Sequence, residues 1–111
     1  HGAVRELRLA SPPVNALNMA LVQRLDAELA AAPEQGVRAL VLSGQPGLFS
    51  AGLDAREVTT AAAEPLRRFI DAFFRLQERL ARSPIPVVAA ITGHCPAGGT
   101  VLALYCDHRL M

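Results

Sequence analysis

Residues 37–44, VRALVLSG, form a Val/Leu-rich stretch that is almost continuously apolar. Such a stretch is typical of a strand covered on both faces in a parallel sheet, because a strand with one face in water alternates apolar and polar residues. A second stretch of this kind, VVAAIT, occupies residues 87–92 and follows the helix-breaking SPIP at 83–86. The sequence therefore predicts two buried parallel strands, which decide the fold class.

Two further strands are predicted at the ends of the sequence. Residues 3–10, AVRELRLA, alternate apolar and charged side chains, so we expect a half-exposed strand with Val4, Leu7 and Leu9 on its buried face. The last residues, CDHRLM at 106–111, have the pattern of a strand that is only beginning. We therefore expect residues 1–111 to be the N-terminal part of a single domain, truncated relative to the natural protein.

Helices are predicted between the strands. Asn18 is placed as the N-cap of a helix over 19–32, which Pro33 and Gly36 end. A longer helix is predicted over 65–82, because its apolar residues recur at spacings of three and four.

Two more helical segments follow glycine-containing turns. Asp54 can cap a short helical turn, and the small residues at 97–99 open a helix that runs to about Cys106. Strands and helices thus alternate along the chain. This order predicts an α/β fold with right-handed crossovers and a mostly parallel sheet.

The overall composition narrows the classes of protein. Of the 111 residues 51% are hydrophobic, and eleven Arg against ten acidic residues give a net charge of +1, so a nucleic-acid partner is not expected. No apolar run reaches the roughly 18 residues that span a bilayer, so no membrane partner is expected. Two cysteines are too few for a secreted disulfide framework. All eleven Lys/Arg positions are Arg, and alanine is abundant. This composition indicates a bacterial cytoplasmic protein, or a mitochondrial matrix protein if the source is eukaryotic.

Two glycine-containing turns follow the two buried strands, GLFSAGLD at 47–54 and GHCPAGGTV at 93–101. In parallel sheets ligands bind beyond the carboxyl ends of the strands, where both turns fall. Backbone N–H groups there could hold an oxygen that gains negative charge, or the glycines could simply permit tight turns. The nucleotide-binding glycine patterns are absent from both turns. Phe49, the one aromatic residue of the first turn, is expected to be exposed.

Several other side chains are candidates for chemistry, and each has a plainer structural interpretation. His94 and Cys95 are adjacent, but neighbours in sequence rarely point at one another, so structural roles are favoured. Cys106, Asp107 and His108 lack the separated pairs of a metal site, and no metal is expected. The arginines and phenylalanines of the long helix are interpreted as a solvated face and as core, with contacts to phosphate groups and the lining of an apolar ligand pocket as the alternatives: Arg67, Arg68, Arg75, Arg79 and Arg82; Phe69, Phe73 and Phe74.

Taken together, SPPVNALN at 11–18, ALVLSGQPGLFSAGLD at 39–54 and PIPVVAAITGHCPAGGTVLALYCDHRL at 84–110 resemble the crotonase (enoyl-CoA hydratase/isomerase) superfamily. The resemblance covers nearly the whole chain and is greatest to the mitochondrial-type Δ3,Δ2-enoyl-CoA isomerase branch. It implies a crotonase-like ββα spiral core that binds acyl-CoA thioesters and stabilises their enolate, with no cofactor. It also implies a homotrimer, or a dimer of trimers, for the full-length protein.

The resemblance also assigns site residues by motif position. The backbone N–H groups of Ala51 and Gly98 would form an oxyanion hole for the thioester oxygen. Residues of the same motifs are the candidates for binding the substrate and its CoA moiety: Ala16, Leu17, Ser50, Gly52, Leu53, Asp54, Pro96, Ala97 and Gly99.

The position two residues beyond the glycine pair separates activities within the superfamily. Hydratases carry a catalytic Glu there, and this chain has Val101. Water addition uses two carboxylates, whereas an isomerase needs a single base, so the resemblance favours an isomerase. In the similar isomerases that Glu follows the strand corresponding to CDHRL, so we expect it beyond Met111. A hydratase, an acyl-CoA hydrolase and a noncatalytic acyl-CoA-binding fragment remain the alternatives.

Overall fold

Four parallel strands form the main sheet of the computed structural model, which describes residues 3–11, 15–95 and 97–111. Along the chain the elements are β1 (Val4–Arg8), β2 (Ala16–Leu17), α1 (Met19–Ala31), a 3-10 turn (Pro33–Gln35), β3 (Ala39–Ser43), β4 (Gly47–Leu48), β5 (Gly52–Leu53), α2 (Ala55–Thr60), α3 (Ala63–Ala81), β6 (Val87–Ala90), β7 (Gly93–His94), α4 (Gly98–Leu104) and β8 (His108–Leu110). The main sheet has the order β1-β3-β6-β8, and every pair in it is parallel. The predicted α/β fold with a mostly parallel sheet is confirmed.

The core lies between the sheet and the pair of helices α1 and α3. Leu40 and Leu42 of β3 are buried and stand opposite Val87 and Ala89 of β6. The helices contribute one apolar face each, with these buried members: Val22, Leu25 and Leu29 of α1; Phe69, Phe73, Leu76 and Leu80 of α3. On the opposite face Val41 of β3 and Val88 of β6 are only half-buried, so within the described residues these strands are fully covered on one face and not, as predicted, on both.

Local signals set the helix boundaries. The Asn18 side chain accepts a hydrogen bond from the backbone N–H of Leu21 at 2.8 Å, which confirms the predicted N-cap of α1. After α1 the chain continues through the 3-10 turn, and Gly36, with φ of 80°, ends the helical segment. Helix α3 begins at Ala63, two residues before Pro65, whose missing N–H falls in the first turn where no intrahelical partner exists.

Three expectations about exposure are wrong. Val4 is 41% exposed, because a strand alternates with period two and Val4 therefore faces away from Leu7 and Leu9. Phe74 is 60% exposed, since it follows the buried Phe73 by one residue and so lies about 100° further round α3. Phe49 is fully buried in the hydrophobic core, so it anchors its turn and does not face the solvent.

Two small parallel sheets lie where only loops were predicted. Strand β2 pairs with β5, with Ala16 opposite Gly52 and Leu17 opposite Leu53. Strand β4 pairs with β7, with Gly47 opposite Gly93. Each pair connects two loops that are distant in sequence. The first pair holds the first glycine turn against the loop before α1, and the second holds the two glycine turns against each other.

Among the described residues, none of the helices has the length and apolar character needed to cross a membrane.

Candidate functional site

The two glycine turns are in direct backbone contact. A methyl group at Gly52 would lie 2.7 Å from the backbone nitrogen of Gly98, and a methyl at Gly99 would lie 2.5 Å from the carbonyl oxygen of Ser50. Gly52 also has φ of 93°, a conformation that side chains rarely adopt. Gly52, Gly98 and Gly99 are all buried. The first turn therefore needs glycine at residue 52 for its backbone conformation. The second turn needs glycine at residues 98 and 99 because the backbones of the two turns approach so closely.

Buried polar groups hold the first turn from within. The Ser50 hydroxyl, with no exposed surface, donates to the carbonyl oxygen of Asn15 at 2.8 Å and accepts from the N–H of Gly52 at 3.1 Å. The amide nitrogen of the Asn15 side chain donates to the carbonyl oxygen of Phe49 at 3.1 Å. The predicted site residue Ser50 thus supports the turn, and its hydroxyl is not presented to a ligand.

The two backbone N–H groups that the resemblance assigns to the oxyanion hole belong to Ala51 and Gly98. Neither N–H has a hydrogen-bond partner within residues 3–11, 15–95 and 97–111. Ala97, immediately before α4, has φ of 49° and ψ of −119°, a backbone conformation rarely found for a residue with a side chain. Such outliers persist only where the surrounding structure enforces them, and they concentrate at functional sites.

The other residues assigned by motif surround the first turn. Leu17 is fully buried and Leu53 packs against the core, whereas Ala16 is half-buried. Asp54 caps α2, because one of its carboxylate oxygens accepts from the N–H groups of Arg56 and Glu57 at 3.0 and 3.2 Å. Ala97 is exposed beside the second turn, and Pro96 lies outside the described residues.

Neither cysteine has the lowered pKa that is typical of a reactive thiolate. The hydroxyl of Thr100 donates to the carbonyl oxygen of Cys95, and burial raises the pKa of the Cys95 thiol. Burial and, to a lesser extent, the charge of Asp107 raise the pKa of the Cys106 thiol to about 12. Asp107 itself accepts from the N–H of Val87 at 2.7 Å, which ties the end of α4 to β6. No cluster of three or more metal-ligating side chains occurs in the described part of the chain.

The arginines of α3 lie mainly on an exposed face. Arg79 reaches Asp26 of α1 with an Nε to Oδ1 distance of 2.5 Å, and Arg82 pairs with Glu78 one turn earlier at 3.5 Å. The first pair joins the two helices of the outer layer, whereas the second is an exposed pair within one helix. These contacts support the solvated-face interpretation of the set.

Asn15 is the residue of the site that motif reasoning missed. It is fully buried and has φ of 51°. Its side-chain oxygen accepts from the N–H of Ser11 at 2.8 Å, in addition to the contacts with the first turn. The only local signal is the residue type, because Asn adopts the left-handed conformation more readily than other residues with side chains.

With this geometry in place, the comparisons with known proteins identify the family. The profile of the enoyl-CoA hydratase/isomerase family matches residues 1–111. Human mitochondrial enoyl-CoA delta isomerase 1 is 36% identical over 110 residues, which are 97% of this chain and 36% of that protein. A probable enoyl-CoA hydratase of Bacillus subtilis is 33% identical over 96% of this chain and 42% of its own length. The crystal structure of human mitochondrial delta3-delta2-enoyl-CoA isomerase superimposes with a TM-score of 0.92 at 34% identity, covering 97% of this chain and 43% of that chain.

The chain belongs to the enoyl-CoA hydratase/isomerase family, which confirms the resemblance to the crotonase superfamily. It spans 36% of the human relative and 42% of the Bacillus one. The relatives include a mitochondrial and a bacterial protein, and both isomerases and hydratases are among them.

Proposed function

We propose that this chain is the part of a Δ3,Δ2-enoyl-CoA isomerase that holds the thioester oxygen of the substrate. The observation that carries the proposal is the backbone contact between Gly52 and Gly98, which brings together two turns whose residues Ala51 and Gly98 have N–H groups without a partner in the described chain. The strained backbone of Ala97 beside Gly98 supports the same assignment. The isomerase relatives supply the reaction class.

The proposed reaction moves a double bond toward the thioester. A base removes a proton from the carbon between the carbonyl and the double bond, and the electron pair left behind shifts onto the thioester oxygen as an enolate. The N–H groups of Ala51 and Gly98 donate to that oxygen while its charge develops, and one such donor is typically worth about 3–4 kcal/mol. The proton returns two carbons further along, which leaves the double bond conjugated with the carbonyl.

The base is proposed to come from the segment that follows β8 in the similar isomerases. Val101 stands where hydratases of the superfamily carry a Glu, and an alkyl side chain cannot transfer a proton. The CoA moiety is proposed to lie along Ala16, Leu53 and Asp54, and the full-length protein to act as a homotrimer or a dimer of trimers.

Hydration of a 2-enoyl-CoA is the second candidate. The Bacillus subtilis relative favours it, because that hydratase matches nearly as well as the human isomerase. The missing carboxylate at Val101 is the observation against it, since water addition needs both an acid and a base.

Three substrates offered to the full-length protein separate the candidates. With a 3-enoyl-CoA, an isomerase produces the absorbance of the conjugated thioester. With a 2-enoyl-CoA, a hydratase makes that absorbance disappear. With a saturated acyl-CoA, a hydrolase releases a thiol that a disulfide reagent detects. We expect only the first signal, and hydration or hydrolysis as the sole activity would show that the isomerase assignment is wrong.

A further inference from the structure

We infer that Asn15 is a positioning residue that holds the backbone of Ala51 in the orientation needed to bind the thioester oxygen. The inference rests on the proposed oxyanion role of Ala51. It concerns a residue that does not itself touch the substrate, and the contacts that carry it lie wholly within the described chain.

Asn15 is joined to residues on both sides of Ala51. Its side-chain nitrogen donates to the carbonyl oxygen of Phe49 at 3.1 Å, two residues before Ala51. Its backbone carbonyl accepts from the Ser50 hydroxyl at 2.8 Å, and the same hydroxyl accepts from the N–H of Gly52 at 3.1 Å, one residue after Ala51. These bonds use the polar groups that flank Ala51 and leave its own N–H without a partner among the described residues.

Other contacts hold mainly the two ends of the first turn. Pairing of β5 with β2 fixes Gly52 and Leu53, and Gly52 packs closely against Gly98. Between the two ends, Ser50 and Ala51 have small side chains that add little packing to fix the backbone. Phe49 anchors only one end, through its buried ring and an N–H that donates to the carbonyl oxygen of His94 at 2.9 Å. An oxyanion donor acts by being preorganised, so a turn of small residues needs external hydrogen bonds to hold it.

Asn15 is itself held in place at a cost to the fold. Its backbone has φ of 51°, its side chain is fully buried, and its oxygen accepts from the N–H of Ser11 at 2.8 Å. Burial of an amide is unfavourable unless its hydrogen bonds are made. An apolar residue would fill the same space without joining two segments 34 residues apart in the chain. The pattern of partners therefore indicates that the amide serves the turn.

Two variants interrupt different bonds of this arrangement. Asn15→Asp keeps the shape, the left-handed backbone preference and the acceptor for Ser11, but replaces the donor to Phe49 by a carboxylate oxygen. Ser50→Ala removes the bridge between Asn15 and Gly52. Ser83→Ala is the matched control for the serine, because the Ser83 hydroxyl likewise bonds the backbone of its own loop, donating to Ile85 at 2.7 Å and accepting from it at 3.3 Å, away from both turns.

The experiment uses the full-length protein and two readouts. Infrared spectroscopy of a bound saturated acyl-CoA with a carbon-13 thioester carbonyl measures how strongly the oxygen is hydrogen-bonded, without any turnover. Steady-state kinetics with a 3-enoyl-CoA give kcat and KM. For Asn15→Asp and Ser50→Ala we expect a smaller red shift of the carbonyl band and a kcat reduced about ten- to hundredfold, with a much smaller change in KM. Ser83→Ala should match the unaltered protein in both.

The outcomes distinguish this inference from the proposed function. A red shift in the unaltered protein that is diminished in Asn15→Asp and Ser50→Ala supports both. A red shift and kcat that survive in the folded variants, even with lowered thermal stability, overturn the positioning role and leave the proposed function standing. No red shift in the unaltered protein overturns the oxyanion role of Ala51, and the inference with it. If Asn15→Asp does not fold, Ser50→Ala alone decides by the same criteria.

Discussion

Replacing Gly52 by alanine perturbs both the contact between the two turns and the backbone of the first turn. The added methyl would lie 2.7 Å from the backbone nitrogen of Gly98 and 3.3 Å from its Cα. Neither atom can move without moving its turn. The φ of 93° at residue 52 is also unfavourable for alanine, and the turn must either accept this strain or rotate.

The size of the effect follows from these two contributions. A left-handed backbone costs a residue with a side chain about 1–2 kcal/mol. Overpacking a buried contact costs typically about 1–3 kcal/mol more. We therefore expect Gly52→Ala to lower the free energy of unfolding by about 2–5 kcal/mol. If the turns instead separate by about 1 Å, kcat should fall about a hundredfold.

Gly36 provides the matched control. Its φ of 80° imposes a similar backbone strain on alanine, but nothing lies within 4 Å of the added methyl. Gly36→Ala should therefore cost only about 1–2 kcal/mol and leave kcat unchanged. Urea unfolding of the full-length protein measures the stabilities, and isomerisation of a 3-enoyl-CoA measures kcat. Equal losses of stability in the two variants, with equal kcat, would refute the close approach of the turns.

Two further predictions concern the cap of α2 and the buried thiol. Asp54→Ala should lower the free energy of unfolding by about 0.5–2 kcal/mol and Asp54→Asn by much less, because an amide oxygen can still accept from Arg56 and Glu57; thermal unfolding that ranks the two variants equally would contradict the capping role. The raised pKa of Cys106, about 12, means that the folded protein keeps a proton which the unfolded chain loses above its ordinary pKa of about 8.5. The stabilisation that this thiol provides is complete below that pH and is lost as the pH rises toward about 12, by up to about 1.4 kcal/mol per pH unit. Urea unfolding should therefore show the protein losing stability relative to Cys106→Ala between pH 9 and 11, and a pH-independent difference would argue against burial of the thiol.

The main elements of the fold were predictable because each has a local cause. The apolar runs at 37–44 and 87–92 predicted β3 and β6, and the spacing of apolar residues predicted α1 and α3. Asn18 marked a helix start that its hydrogen bond to Leu21 confirms. The two-residue strands could not be predicted, since they are too short for any periodicity and exist only through pairing with distant segments.

The candidate site likewise has one part that the sequence predicts and one part that it does not. The glycine turns were expected near each other, because the carboxyl ends of neighbouring parallel strands meet at one edge of the sheet. The buried arrangement of Asn15 and Ser50 left no trace in the local pattern, since it depends on partners more than 30 residues away. Phe49 was misjudged for a related reason: small neighbours indicate a turn but do not say which way its one large ring points.

Strands β3 and β6 are neighbours and end at the same level, with Ser43 opposite Ala90. Both glycine turns therefore start from the same edge of the sheet. An insertion of one residue inside β6 would offset one turn against the other by about 3.3 Å and reverse which side chains of the strand face the helices. Extra residues in the short segment between α2 and α3 would neither offset the turns nor change which side chains of the strand face the helices. Length differences among natural homologues are therefore expected to collect in the crossovers and to spare these two strands.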